Sequence, residues 1–183
     1  MNASYYDRFI RGSRRLEGWD YSSEGIYFVT ICTAKRYLLF GDIRKGIMEL
    51  NDFGRIAEFE WHKTFEIREN IVSDRFVVMP NHLHGIIIIP PGTGGARPAA
   101  PKQSKQKFGK PIPGSISTIV GAYKSATTKS INILRQTPGV SIWQSRFHDR
   151  IIRTEKELDN VRNYIDQNLL MWASDKHNHG YQD

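Results

Sequence analysis

The chain has 183 residues, with 26 Lys and Arg against 19 Asp and Glu, a formal net charge of +7 and a pI near 9.6. That length suits one domain with a core, and that charge favours a polyanionic partner, nucleic acid first. The lone cysteine, Cys32, rules out an intrachain disulfide, the longest aliphatic run (Ile86 to Ile89) is far too short to span a bilayer, and the N-terminus lacks the apolar stretch of a signal peptide, so a reducing cytoplasmic setting without membrane contact is expected.

Residues 1–20 read as a basic N-terminal arm. Arg8, Arg11, Arg14 and Arg15 lie close to Tyr5, Tyr6 and Phe9. Charge for phosphates and rings for bases suit single-stranded nucleic acid, although a solvated tail has the same composition. One domain is expected over residues 21–175, with a short tail at 176–183. Residues 26–34 (IYFVTICTA) are β-branched and aromatic and predict a strand, with Cys32 as a small buried residue. Residues 43–50 predict a short hairpin around Lys45-Gly46. Asn51 or Asp52 is placed to cap a helix over 53–65, with Ile56, Phe59 and Trp61 as apolar positions. Residues 71–79 and 82–89 predict two strands separated by Pro80-Asn81 and stopped by Pro90-Pro91.

Residues 90–114 are rich in Pro, Gly, Lys and Gln and predict a flexible insertion within the domain. Ile116, Ile119, Val120, Tyr123 and Ile131 then recur at helical spacing within 115–134. Residues 140–153 read as a last extended segment, with Trp143 in the core. The final helix is signalled by a capping box, Thr154 with Glu157, and by the stripe Leu158, Val161, Ile165, Leu169 and Trp172. The order β-α-β-β-α-β-α argues an α+β fold, an antiparallel sheet covered by helices.

Charge is unevenly spread along this order. No Asp or Glu occurs from Arg75 to Arg146, a stretch holding ten Lys and Arg, whereas the rest of the chain holds sixteen basic residues against nineteen acidic. A phosphate-binding surface requires such a concentration. Lys124, Arg146, His148 and Arg150 are candidate phosphate contacts, each equally readable as part of a solvated face.

His82-Leu83-His84 opens a strand, so its two imidazoles share one face and Leu83 faces the other. That is a two-point metal site, though an HxH pair alone also arises by chance. On the last helix Tyr164 falls roughly 100° from the centre of the apolar stripe and Asn168 roughly 60°, on the same flank. Both belong to the margin of the buried face, where a tyrosine is either a wet boundary residue or a group facing a cleft.

The segments FVVMPNHLHGIIII, IWQSRFHDRIIR, EKELDNVRNYIDQN and YFVTICTAKRYLLFGDI resemble the single-tyrosine HUH transposases, in particular the REP-associated tyrosine transposases of bacteria. The resemblance spans about residues 8–175 apart from 90–112. It implies a ferredoxin-like HUH nuclease fold, with His82 and His84 binding a divalent metal (Mg²⁺ or Mn²⁺) and Tyr164 as the nucleophile. Asn168, with Gln167 as an outside candidate, would complete the metal site. Further implications are single-stranded or hairpin DNA with REP-like palindromes as partner, cleavage through a 5′-phosphotyrosine, action as a monomer or homodimer, and a bacterial, nucleoid-associated setting. Many such proteins carry Asn-Pro where this chain has Asn168-Leu169. Two alternatives stay open: a hairpin-binding relative that does not cut, and a hydrolase using the histidines with water as nucleophile.

Overall fold

We describe residues 24–91 and 112–174, with Asn178, of a computed structural model. The basic arm with Arg11, Arg14 and Arg15 lies outside the described residues, as does most of the 90–114 insertion.

Strand β1 (Gly25–Cys32) occupies the middle of the main sheet because both of its faces are apolar. The chain then forms a hairpin of β2 (Gly41–Arg44) and β3 (Ile47–Leu50). Lys45 and Gly46 both take positive φ, 52° and 76°, as a two-residue turn of the type I′ kind requires. Helix α1 (Asp52–Glu66) starts at Asn51 rather than Asp52. The Asn51 side chain accepts from the Gly54 N–H at 3.0 Å, leaving Asp52 in the first turn, beside the positive end of the helix dipole. Strands β4 (Val72–Met79) and β5 (His82–Ile89) follow, joined by Pro80-Asn81 alone.

Helix α2 (Ile116–Leu134) is capped by Ser115, and α3 (Glu155–Met171) by Thr154. Thr154 Oγ1 accepts from the Glu157 N–H at 3.1 Å. Half of the predicted capping box is rewired, because Glu157 Oε2 accepts from the N–H of Arg153, one residue earlier, at 2.9 Å. Between α2 and α3 only β6 (His148–Ile152) is a strand. The extended segment expected over 140–153 thus holds a regular strand only near its C-terminal end. Ile142 and Trp143 are both buried, and this stretch meets the sheet through Trp143, which makes an isolated bridge to Thr33.

The main sheet is antiparallel with strand order β4-β5-β1-β6. Tyr27, Val29, Ile31, Leu83 and Ile87 project from one face into a core with Trp61, Val120 and Tyr123 of α1 and α2. The opposite face offers Phe28, Ile86 and Ile152 to Leu158, Val161 and Ile165 of α3. The fold is thus an α+β sandwich, as expected, with α3 the one helix on the second face among the described residues. Cys32 is buried. Among the described residues no helix is long and apolar enough to cross a membrane.

Candidate active site on the α3 face

His82 and His84 begin β5, directly after the Pro80-Asn81 turn. That turn is held by its carbonyls: Phe40 N donates to Pro80 O at 3.0 Å, and Thr33 N and Oγ1 both donate to Asn81 O at 2.9 Å. Register does the rest, since Cys32 pairs with His82 and Thr30 with His84. Residues paired across an antiparallel ladder share a face, so Thr30 stands beside His84 and its hydroxyl lies 2.8 Å from His84 Nδ1.

Both imidazoles are buried, His82 completely and His84 with 2% of its surface exposed. Asn81 orients the first. Its Nδ2 donates to Arg36 O at 3.3 Å, which turns its Oδ1 to His82 Nδ1 at 2.8 Å. An amide oxygen only accepts, so Nδ1 carries the proton and Nε2 presents a lone pair. The two Nε2 atoms are 3.1 Å apart, and the Tyr164 hydroxyl lies 3.2 Å from His84 Nε2. Two imidazole nitrogens and one phenol oxygen therefore converge beneath α3.

An aromatic frame surrounds this point. Phe28 stacks on His84 with centroids 5.3 Å apart and meets Tyr164 edge-on at 5.9 Å, while Trp172 lies 6.0 Å from His82. Tyr164 is half-buried, and Asn168, one turn on, is buried with Nδ2 a long 3.5 Å from Tyr164 O. Gln167 is exposed.

The candidate phosphate contacts separate into two groups. His148 pairs with Thr30 and Arg150 with Phe28, so both stand on the α3 face in the rows next to the histidines. His148 is exposed, and Arg150 Nη2 donates to Glu157 Oε1 at 3.1 Å. Arg146 is exposed on the loop leading into β6. Lys124 sits on α2, across the sheet. Its Nζ donates to Gln144 O at 2.6 Å and Ser145 O at 3.1 Å, and burial lowers its pKa. This lysine clamps the loop before β6 and does not converge on the histidine pair.

The chain is 34% identical over 167 residues to an uncharacterized protein of Haemophilus influenzae, covering 91% of this chain and 92% of the other. It belongs to that protein's family. No protein-family model matches. Among solved structures, a REP-associated tyrosine transposase bound to a REP hairpin shares the fold, with a TM-score of 0.56, 20% identity, and coverage of 85% of this chain and 73% of that one. A second structure, a transposase candidate from Deinococcus radiodurans, is 15% identical over 84% of this chain and 96% of that one. Its TM-score of 0.41 is too low to carry an argument.

Sequence reasoning missed Thr30, Phe28 and Asn81 at this site. The first two alternate along β1, so the signal was a parity of two, but only the pairing of β1 with β5 says which histidine they meet. Asn81 was read as a turn residue alone.

Proposed function

We propose that this protein is a metal-dependent enzyme of the tyrosine transposase kind, which cuts and rejoins single-stranded DNA next to a hairpin. The observation that carries the reading is the Tyr164 hydroxyl meeting His84 Nε2, which in turn lies 3.1 Å from His82 Nε2. The fold shared with a hairpin-bound tyrosine transposase supports the same reading.

The donor set fits a divalent cation. The two Nε2 atoms, 3.1 Å apart on one strand face, would lie within reach of a single ion. His82 already presents a lone pair. His84 needs only to carry its proton on Nδ1, where the Thr30 hydroxyl can accept it as readily as it can donate. The third protein ligand in this reading is the amide oxygen of Asn168, which the resemblance to the tyrosine transposases implies; among the described residues no cluster of three or more His, Cys, Asp and Glu is present. Mg²⁺ or Mn²⁺ is the cation that the resemblance implies, and the set would leave positions for the phosphate oxygen and water that such ions take. When bound, the cation supplies Lewis-acid polarisation of the scissile phosphate.

The chain's own groups do the remainder. Phe28 and the α3 backbone hold the Tyr164 ring so that its oxygen faces the phosphate, while His148 and Arg150 flank the DNA path. The Tyr164 oxygen attacks phosphorus; its bond to phosphorus forms as the bond to the 3′ oxygen breaks. The phenolic proton passes to solvent and the departing 3′ oxygen takes one up. The product is a 5′-phosphotyrosine and a free 3′-OH. Because a phenol, with a pKa of about 10, leaves more readily than an alkoxide, a 3′-OH can reverse the step and join strands without ATP.

The test uses hairpin-flanked single-stranded DNA with Mn²⁺ or Mg²⁺, followed by a denaturing gel. A covalent protein–DNA band in the wild type, absent in Tyr164→Phe and His82→Ala, is expected. Cleavage without a covalent band would reassign the site to a water-using hydrolase. Tight metal-independent binding without cleavage would make the protein a hairpin-binding module.

A further inference from the structure

Strand β4 contains one residue more than its partner needs. Ser73 pairs with Ile87 and Phe76 with Gly85, so three steps along β4 match two along β5, which is a β-bulge. The residues on either side of it face α1. Trp61 Nε1 donates to Ser73 Oγ at 3.0 Å, and Phe76 stacks on Trp61 at 4.7 Å. Strict alternation would send Asp74 to the α3 side and Arg75 back to the α1 side. The extra residue lets both reach α3. Arg162 Nε donates to Asp74 Oδ2 at 3.0 Å and its Nη2 to the same oxygen at 2.5 Å; Arg75 Nε lies 3.4 Å from Asp166 Oδ1.

Arg162 and Asp166 are one helical turn apart, and Tyr164 lies between them in the chain. The signs are reciprocal: minus then plus on β4 against plus then minus on α3. A slide of α3 by one turn in either direction brings like charges together, Asp74 against Asp166 or Arg75 against Arg162. The two pairs contribute differently. The Asp74 side chain is only 10% exposed and that of Arg162 37%, so the two N–H groups that Arg162 gives Asp74 Oδ2 are partly shielded from solvent. Arg75 and Asp166 are each more than half exposed, so solvent screens their attraction and any like-charge repulsion alike, and the register preference rests mainly on Asp74 with Arg162. Asp159 also pairs with Arg162, at 3.3 Å, but sits on the same helix and carries no register information.

We propose that Asp74, Arg75, Arg162 and Asp166 form a register latch, four positioning residues that hold α3 at the axial position where the Tyr164 hydroxyl meets His84. What the latch positions rests on the function proposed above; the latch itself is testable without DNA.

Spin labels at Glu58→Cys on α1 and Asn163→Cys on α3, in a Cys32→Ala background, report the axial position of α3. Reversing the helix side alone (Arg162→Asp with Asp166→Arg) makes the native register repulsive and both slid registers attractive. The label distance should then move by up to about 5 Å, one turn of helix. Adding Asp74→Arg and Arg75→Asp restores complementarity and should restore the native distance. With hairpin-flanked DNA and Mn²⁺, covalent adduct formation should fall at least about 100-fold in the half-reversed protein, with DNA affinity unchanged, and recover in the fully reversed one. Should the half-reversed protein fail to fold, Arg162→Ala, which adds no repulsion, should broaden the distance distribution. A distance that stays narrow and native in these variants, or one that full reversal does not restore, overturns the latch. Distances that behave as described in a protein forming no adduct uphold the latch and overturn the proposed function.

Discussion

Gly85 follows His84 on β5, and its lack of a side chain is a packing requirement. A Cβ there would lie 2.4 Å from both Cη2 and Cζ2 of Trp61, so the indole must retreat by about 1 Å to reach the 3.4 Å of ordinary contact. Trp61 has little freedom to do so. It is 1% exposed, stacked on Phe76, bordered by Phe65 and Tyr123, and tied to Ser73 by its N–H. Overpacking a core by one methyl group costs about 1–3 kcal/mol. Disturbing the stacked pair adds about 0.5–1.5 kcal/mol, and the indole hydrogen bond about 1 kcal/mol. Gly85→Ala is therefore expected to destabilise the protein by about 3 kcal/mol, a shift in melting temperature of roughly 6–12 °C. Urea unfolding followed by fluorescence would read this as a lower midpoint with an unchanged slope. Trp61→Leu, costly alone because it leaves a cavity, makes room for the new methyl. The double variant should thus be about 2 kcal/mol more stable than the two single losses added together. A loss below about 1 kcal/mol for Gly85→Ala, or strict additivity in the cycle, would refute this account of the strand.

Further predictions concern the histidine pair and the α1–α2 core. Asn81→Ala and Thr30→Val each remove the partner of an imidazole Nδ1, so each should weaken Mn²⁺ binding about 10–100-fold by calorimetry, and unchanged affinity would detach them from the site. Burial pushes the Tyr123 phenol well above its ordinary value, with its hydroxyl donating to Ala57 O at 3.1 Å. The native chain then keeps a proton that the unfolded chain sheds near pH 10. The stability this provides is complete below pH 10 and is lost above it at about 1.4 kcal/mol per pH unit, a slope that Tyr123→Phe should flatten in alkaline unfolding curves. Lys124 acts in the opposite sense, because burial lowers its pKa below 10.5. Just below pH 10.5 the unfolded chain binds the extra proton, so stability rises with pH there, and Lys124→Met should remove that rise.

Periodicity and punctuation made most elements legible. The hairpin at Lys45-Gly46, the Thr154 cap and the stripe of α3 all follow from interactions within a few residues, which the order of amino acids states directly. What the order of amino acids did not state is where 140–147 docks: Ala34 N donates to Ile142 O and Gln144 N to Cys32 O, bonds between residues far apart in the chain.

For the site, the chain alone determined that His82 and His84 share a strand face and that Tyr164 and Asn168 share the flank of a helix, because both follow from fixed backbone periods. It did not determine that the two flanks meet. The 3.2 Å between Tyr164 and His84 joins residues 80 positions apart and depends on β1 lying between β5 and β6. Thr30 and Phe28 become neighbours of the histidines only through that register, and Lys124 moves away from them because α2 covers the other face. The bulge that turns Asp74 and Arg75 together towards α3 is likewise a property of strand pairing, where one extra residue changes which side chains share a face.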